Sequence, residues 1–235
     1  MPENVFEGFP PECINFYEQL RINNRKTWFE EHRQEFDKNV MAPARLFVCD
    51  MGIALKKISP HIVADPRINR SIFRPFRDTR FSHDKTPYKT HLGIFFWEGR
   101  LAKMDCPGFY FHLEPPTLML GVGNHCFSKD LLTLYRESVA DPVNGKALRK
   151  AIEEVTSKGD YEIGIKKYKQ VPRGFDRNHQ NKDLLLFSGL TASCEMPIPA
   201  EINSSVLVDF CFEKFRDMRS IHRWLVKMNQ RIKSG

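Results

Sequence analysis

Apolar positions follow two different rhythms along the chain. After Pro10-Pro11-Glu12, the residues Ile14, Phe16, Tyr17 and Leu20 keep helical spacing and predict a short first helix that ends near Asn23-Asn24. From Thr27, the positions Phe29, Phe36, Val40, Leu46, Phe47, Met51, Ala54, Leu55 and Ile58 predict a long second helix. Thr27 and Glu30 would form its capping box, and Pro43 would bend or restart it. Trp28 and Phe29 lie on this helical pattern and read as core. Residues 92–97, 108–114 and 117–122 are short apolar-rich runs and predict three strands. Gly99 and Pro115-Pro116 break them, and the gaps are too short for crossover helices, so antiparallel pairing follows.

The helical rhythm returns at Ser128-Lys129-Asp130, with Leu131, Leu134, Tyr135 and Val139. It resumes beyond Pro142 over residues 144–157 and stops at Gly159. Residues 161–180 read as loop, and 184–190 fit either a strand or a helical turn. From Asn203, the series Val206, Leu207, Phe210, Phe215, Met218, Ile221, Leu225, Met228 and Ile232 predicts one or two terminal helices. The expected architecture is α+β, a mainly antiparallel sheet packed with helices and flanked by N- and C-terminal helical segments. No repeat, low-complexity tract or long linker interrupts it, so a single domain over residues 1–235 is expected.

Charge adds a preference for partners. Lys and Arg total 36 against 29 Asp and Glu, a net charge of +7 that favours anions without separating a small phosphate compound from a nucleic acid. The six cysteines are scattered with no C-x-x-C pair, and MPENVFEGFP lacks the basic and apolar regions of a signal peptide, so a reduced, cytoplasmic protein is expected. No apolar run approaches the about 20 residues that cross a bilayer, which leaves integral membrane insertion without support. The pattern specifies no oligomeric state.

The positive charge is concentrated in residues 73–91, FRPFRDTRFSHDKTPYKTH. Here Arg74, Arg77, Arg80, Lys85 and Lys89 surround only two acids, Asp78 and Asp84, with His83 and His91 nearby. Arginine offers a planar array of donors and keeps its charge at cellular pH, so several in one place can grip a phosphate or carboxylate. If the block is extended, Arg74 and Arg80 face one side and Arg77 the other, which divides the cluster unless a turn re-aims a member. Arg173, in Val171-Pro172-Arg173-Gly174-Phe175, could close on the same anion because Gly174 admits close backbone approach. The expected anion-binding set is therefore Arg74, Arg77, Arg80, Lys85, Lys89 and Arg173, with Asp78, Asp84, Tyr88 and His91 in support.

Read with Asn23-Asn24-Arg25 and Trp28-Phe29 upstream and the Pro-Arg-Gly-Phe segment downstream, this block resembles an uncharacterised family of conserved hypothetical proteins found in bacteria and fungi. The resemblance rests on Asn-Asn-x-x-x-Trp-Phe, then Phe-Arg-x-x-Arg-Asp-x-Arg-Phe-x-x-Asp-Lys-x-Pro-Tyr-Lys, then Pro-Arg-Gly-Phe, in that order, and spans nearly the whole chain. It implies a single α+β domain of unknown function and transfers no catalytic residue. Pro75 and His83 depart from the family pattern; the first stiffens the loop and the second makes its charge depend on pH.

Other chemistries find little in the sequence. No Ser or Cys carries a nucleophile signature, and Gly121-Val122-Gly123-Asn124 lacks the spacing of a phosphate or dinucleotide loop. His112, His125, Cys106 and Cys126 match no zinc spacing, and a metal-dependent phosphodiesterase built on Asp78, Asp84, Lys85 and Glu114 sets its acids among too many arginines. No metal and no cofactor is assigned. Three functions stay open: a small phosphate- or carboxylate-bearing ligand held by the basic loop, a nucleic-acid module tracking phosphates with that block plus Lys166, Lys167, Lys169, Arg173 and Arg177, or a salt-bridge clasp whose role is purely structural.

Overall fold

The computed structural model describes residues 5–232. Its elements run α1 (Pro11–Ile22), α2 (Lys26–Glu31), α3 (Arg33–Glu35), a π-helical turn (Phe36–Met41) and α4 (Ala42–Leu55). Then come β1 (Leu92–Trp97), β2 (Gly108–Glu114), β3 (Thr117–Asn124), α5 (Lys129–Ala140), α6 (Pro142–Thr156), β4 (Glu162–Lys166), β5 (Phe187–Pro197) and α7 (Leu207–Asn229). The strands form one antiparallel sheet in the order β1-β2-β3-β5-β4, which makes the protein α+β. The short connections that exclude crossover helices account for the β1-β2-β3 meander.

Two compact units divide the chain. The first comprises residues up to Phe96, Tyr110–Leu120 and Glu195–Glu213; the second comprises Trp97–Phe109, Gly121–Cys194 and the chain from Lys214. In the first unit, α1 buries Cys13, Phe16, Tyr17 and Leu20, while α4 buries Phe47, Val48, Met51 and Leu55. The Phe47 ring sits 5.2 Å from Phe6 and 4.8 Å from Phe111 of β2, and Phe9 stacks on Phe111 at 5.8 Å. Each such ring withdraws about 150–250 Å² from water, so this cluster anchors helix to strand. In the second unit, Phe109 meets Phe215 of α7 at 5.4 Å, and Phe127 stacks on Tyr135 of α5 at 4.8 Å. Asp141 caps α6 by accepting from the amides of Val143 and Asn144 at 3.2 and 2.8 Å, ahead of a proline that needs no partner for its missing N–H.

Three local expectations change. The long second helix is broken into α2, α3, a π turn and α4. Pro43 stands in the first turn of α4, where it has no amide to complete the preceding helix, and the π turn absorbs the mismatch. Thr27 lies inside α2 behind an extended Arg25, so it does not cap it. Residues 161–180 contain β4, a short edge strand whose pairing with β5 shifts register on either side of Ile165; Gly164, at φ 78°, hides its alternation. The ambiguous 184–190 stretch is both things in succession, a 3₁₀ turn over Leu184–Leu186 and then β5. The terminal pattern forms one helix, α7.

Candidate functional site

The basic block is a hairpin arm on the edge of the sheet. Ile72 bridges Ile94 of β1, with the Phe73 amide donating to Gly93 at 3.0 Å and the Phe95 amide to Ser71 at 2.8 Å. Beyond this anchor the arm pairs with itself. The Arg77 amide donates to the Pro87 carbonyl at 2.9 Å and the Lys89 amide to the Pro75 carbonyl at 2.8 Å, which sets Phe76 opposite Tyr88. The prolines supply acceptors where no donor is needed, so Pro75 and Pro87 fit a short ladder of this kind.

Tyr88 fixes the base of the arm. It is buried, its ring stacks on Phe29 at 4.0 Å and 9°, and its backbone is held by the Asn24 side chain. The Asn24 amide donates to the Tyr88 carbonyl at 2.9 Å and its oxygen accepts from the Tyr88 amide at 3.0 Å, as a neighbouring strand would. The Asn-Asn and Pro-Tyr motifs thus form one structural unit. Trp28 stacks on His32 at 4.0 Å, and Phe29 is wholly buried, in keeping with their reading as packing residues.

Between residues 78 and 86 the loop is tied by its own side chains. Asp78 accepts from Nε and Nη2 of Arg80 at 3.0 and 2.7 Å, and Lys85 Nζ donates to the Thr79 carbonyl at 2.9 Å. Asp84 accepts from the Thr86 amide at 2.9 Å and from Thr86 Oγ1 at 3.1 Å, while Arg77 Nη1 donates to both Asp84 and Thr86. The Arg80 hydrogen bonds hold the Asp78 carboxyl down at about 2, and the Thr86 amide with Arg77 does the same for Asp84.

A cleft of about 460 Å³ lies beside the arm, and Arg77, Asp84, Tyr88, Lys89 and His91 line it together with Arg21, Asn24, Thr86, Thr90 and Glu114. Three cations and two carboxylates therefore share one small space, with Asp84 bound directly to Arg77. Arg74, Arg80, Lys85 and Asp78 are exposed and outside that lining. Alternation along the extended arm divides Arg77 from Arg74, while Arg80 lies in the turn beyond the paired residues. Arg173 belongs to the second unit, where it is exposed in a turn whose Gly174 has φ 90°. Burial, with Arg74 nearby, lowers the Lys89 ammonium below its ordinary value, and its Nζ sits 5.2 Å over the Phe73 ring.

The sheet side of the cleft carries a second group of side chains. Tyr110, His112 and Glu114 occupy alternate positions of β2 and share a face, while Phe109, Phe111 and Leu113 point into the core. The Tyr110 hydroxyl is 2.9 Å from His112 Nδ1, and His112 Nε2 is 3.2 Å from Glu114 Oε2. Glu114 Oε1 accepts from Thr90 Oγ1 at 2.7 Å. His91, just before β1, sets its ring 4.2 Å from that of His112. Burial, then His112 beside it, pushes His91 down to about 4. Burial alone would raise Glu114, but the Thr90 and His112 hydrogen bonds hold it below its ordinary range; burial and Glu114 push the Tyr110 phenol up to about 12.

Sequence reasoning missed Arg21, Asn24 and Thr90 as parts of this site, and weighed His112 and Glu114 only in metal groupings that it set aside. The period-2 polar face of Tyr110-x-His112-x-Glu114 is a signal that could have flagged two of them. Arg21 carries none: it comes from the end of α1, and its Nη2 donates to the Pro115 carbonyl in the β2–β3 turn. Chemically, the arrangement offers fixed cations for an anion and, on β2, nitrogen and oxygen donors for a cation. The model of a family described as conserved hypothetical protein (DUF2461) matches residues 12–224, and the chain belongs to that family. No curated protein and no solved structure matches it.

Proposed function

We propose that this member of a conserved hypothetical protein family binds a small phosphate- or carboxylate-bearing molecule in the cleft between α1, the basic arm and β2. The observation that carries this reading is that Arg21, Arg77 and Lys89 line one space of about 460 Å³, the size of a metabolite site. Arg77 is prepared for the task. Asp84 and Thr86 engage its Nη1 and anchor one end of the guanidinium, and among the described residues its Nε and Nη2 are left to a ligand. Lys89, partly desolvated and beside Arg74, gains from an incoming negative charge. Thr86 and Thr90 also line the cleft, their hydroxyls donating to Asp84 and Glu114. Arg80 and Lys85, bound within the loop, shape the arm instead of the ligand, so ligand grip and internal clasp divide the basic residues between them.

The reading concerns binding; no reaction is assigned. Exposed thiols at Cys49 and Cys126 suit the reducing, cytoplasmic setting expected from the sequence. Among the described residues, no helix is long and apolar enough to cross a membrane. The test is a thermal-stability panel of phosphate compounds, dicarboxylates and short oligonucleotides on wild type and Lys89→Ala. Stabilisation of wild type by one small anion, absent in the variant, supports the reading; stabilisation by oligonucleotides alone replaces it with a nucleic-acid surface.

A further inference from the structure

The geometry points to a mononuclear divalent transition-metal site formed by His91, His112 and Glu114 on the sheet side of the cleft. Each residue contributes one donor atom, and the three donors lie within 4.8 Å of one another, close enough to surround a single ion. The grouping follows from topology. His112 and Glu114 are two apart on β2, so both side chains leave the same face about 7 Å apart along the strand. β1 is the neighbour of β2, and His91 directly precedes β1, which brings a third donor over that face.

The surroundings resemble those of a prepared ligand set. A metal-bound imidazole is held by a partner on its other nitrogen, and a ligating carboxylate is itself hydrogen-bonded. Here the Tyr110 hydroxyl stands 2.9 Å from Nδ1 of His112, leaving Nε2 to point at Glu114. Thr90 donates to Glu114 Oε1, leaving Oε2 on the His112 side. All three ligands are half-buried, which lowers competition from water without closing the site.

Donor chemistry selects the ion. Two imidazoles and one carboxylate suit zinc, cobalt, nickel or ferrous iron, whereas calcium and magnesium take sets made of oxygen. Three protein ligands also leave positions open, as catalytic zinc sites do, and here His91 and Glu114 line the cleft shared with Arg77 and Lys89. An ion held there would carry net positive charge beyond its one carboxylate. It would add an attachment point for an anion, but the metal site does not depend on the anion-binding reading.

The test uses the full chain, stripped with EDTA and dialysed against Co²⁺ and then Zn²⁺, in wild type, His112→Ala, Glu114→Gln and His125→Ala. His125 is exposed and outside the trio, so it reports adventitious surface binding. The expected result is one Co²⁺ per chain with visible absorption bands, displaced by Zn²⁺. Affinity should fall at least tenfold in His112→Ala and Glu114→Gln and stay unchanged in His125→Ala. Absence of stoichiometric uptake by wild type, or equal loss in His125→Ala, overturns the site. If His112→Ala does not fold, the wild-type spectrum and the near-isosteric Glu114→Gln decide it. Repeating a phosphate titration with and without EDTA separates the two readings: metal uptake without phosphate binding removes only the anion cleft, and the reverse removes only the metal.

Discussion

The side-chain amide of Asn24 pairs with both backbone groups of Tyr88, taking the place of a strand that the sheet does not supply at that edge. The contact joins the end of α1 to the root of the basic arm, 64 residues later, and sets the position of Lys89, the next residue. Replacing Asn24 with Ala leaves a part-buried donor and acceptor unpaired, which costs about 1–3 kcal/mol. Denaturant unfolding should show that loss, and the Tyr88 amide should exchange faster in deuterated solvent. An unchanged exchange rate would show that the arm holds itself.

Arg77 separates grip from clasp. Its side chain is 28% exposed and its partner Asp84 58%, so their ion pair is largely screened and contributes at most about 1 kcal/mol. A double-mutant cycle of Arg77→Ala and Asp84→Ala should return a coupling energy in that range, with both variants folded. A coupling several times larger would make the arm's clasp the main role of Arg77.

His222 gives the fold a pH dependence in the second unit. It packs on Phe109 with ring centroids 4.5 Å apart, and burial, then Arg223, pushes it from 6.5 down to about 3. Its Nε2 has no hydrogen-bond partner, and the Glu98 carboxylate stands off at 3.8 Å. The folded chain therefore keeps the ring neutral, while the unfolded chain takes up a proton below 6.5. Stability is fully present above that pH and is lost as pH falls toward 3. Between about pH 7 and pH 5, wild type should lose up to about 2 kcal/mol more than His222→Leu. Equal losses would mean that Glu98 compensates the charge.

Gly123, next to last in β3, has φ 132°, and a Cβ there would collide with the Leu190 carbonyl of the adjoining β5. Gly123→Ala should therefore destabilise by about 2 kcal/mol or more, through both strain and lost strand pairing. Circular dichroism melting would check it; a variant that melts like wild type would show that the β3–β5 pairing yields.

The fold was legible where a single period ran unbroken. Residues 92–97 and 108–114 match their strands because continuous or alternating apolar side chains line a buried sheet, and α7 follows from its spaced apolar series. The restart at Pro43 was legible, but legibility failed where backbone geometry overruled side-chain rhythm: in the π turn ahead of that proline, and at Gly164, whose positive φ conceals β4. The site was half legible. Local charge density singled out Arg77 and Lys89, but charge says nothing about partners distant in sequence, and Arg21, Asn24 and Glu114 reach the cleft only through packing. His112 and Glu114 share a face by strand alternation, whereas the approach of His91 depends on β1 pairing with β2, a tertiary fact.

The most direct measurement is isothermal titration of inorganic phosphate and pyrophosphate into wild type, Lys89→Ala and Arg77→Ala, in EDTA so that no metal contributes. Saturable binding of one anion per chain is expected in wild type, weakened at least tenfold in each folded variant. Absence of binding by wild type, or equal binding by all three proteins, would contradict it.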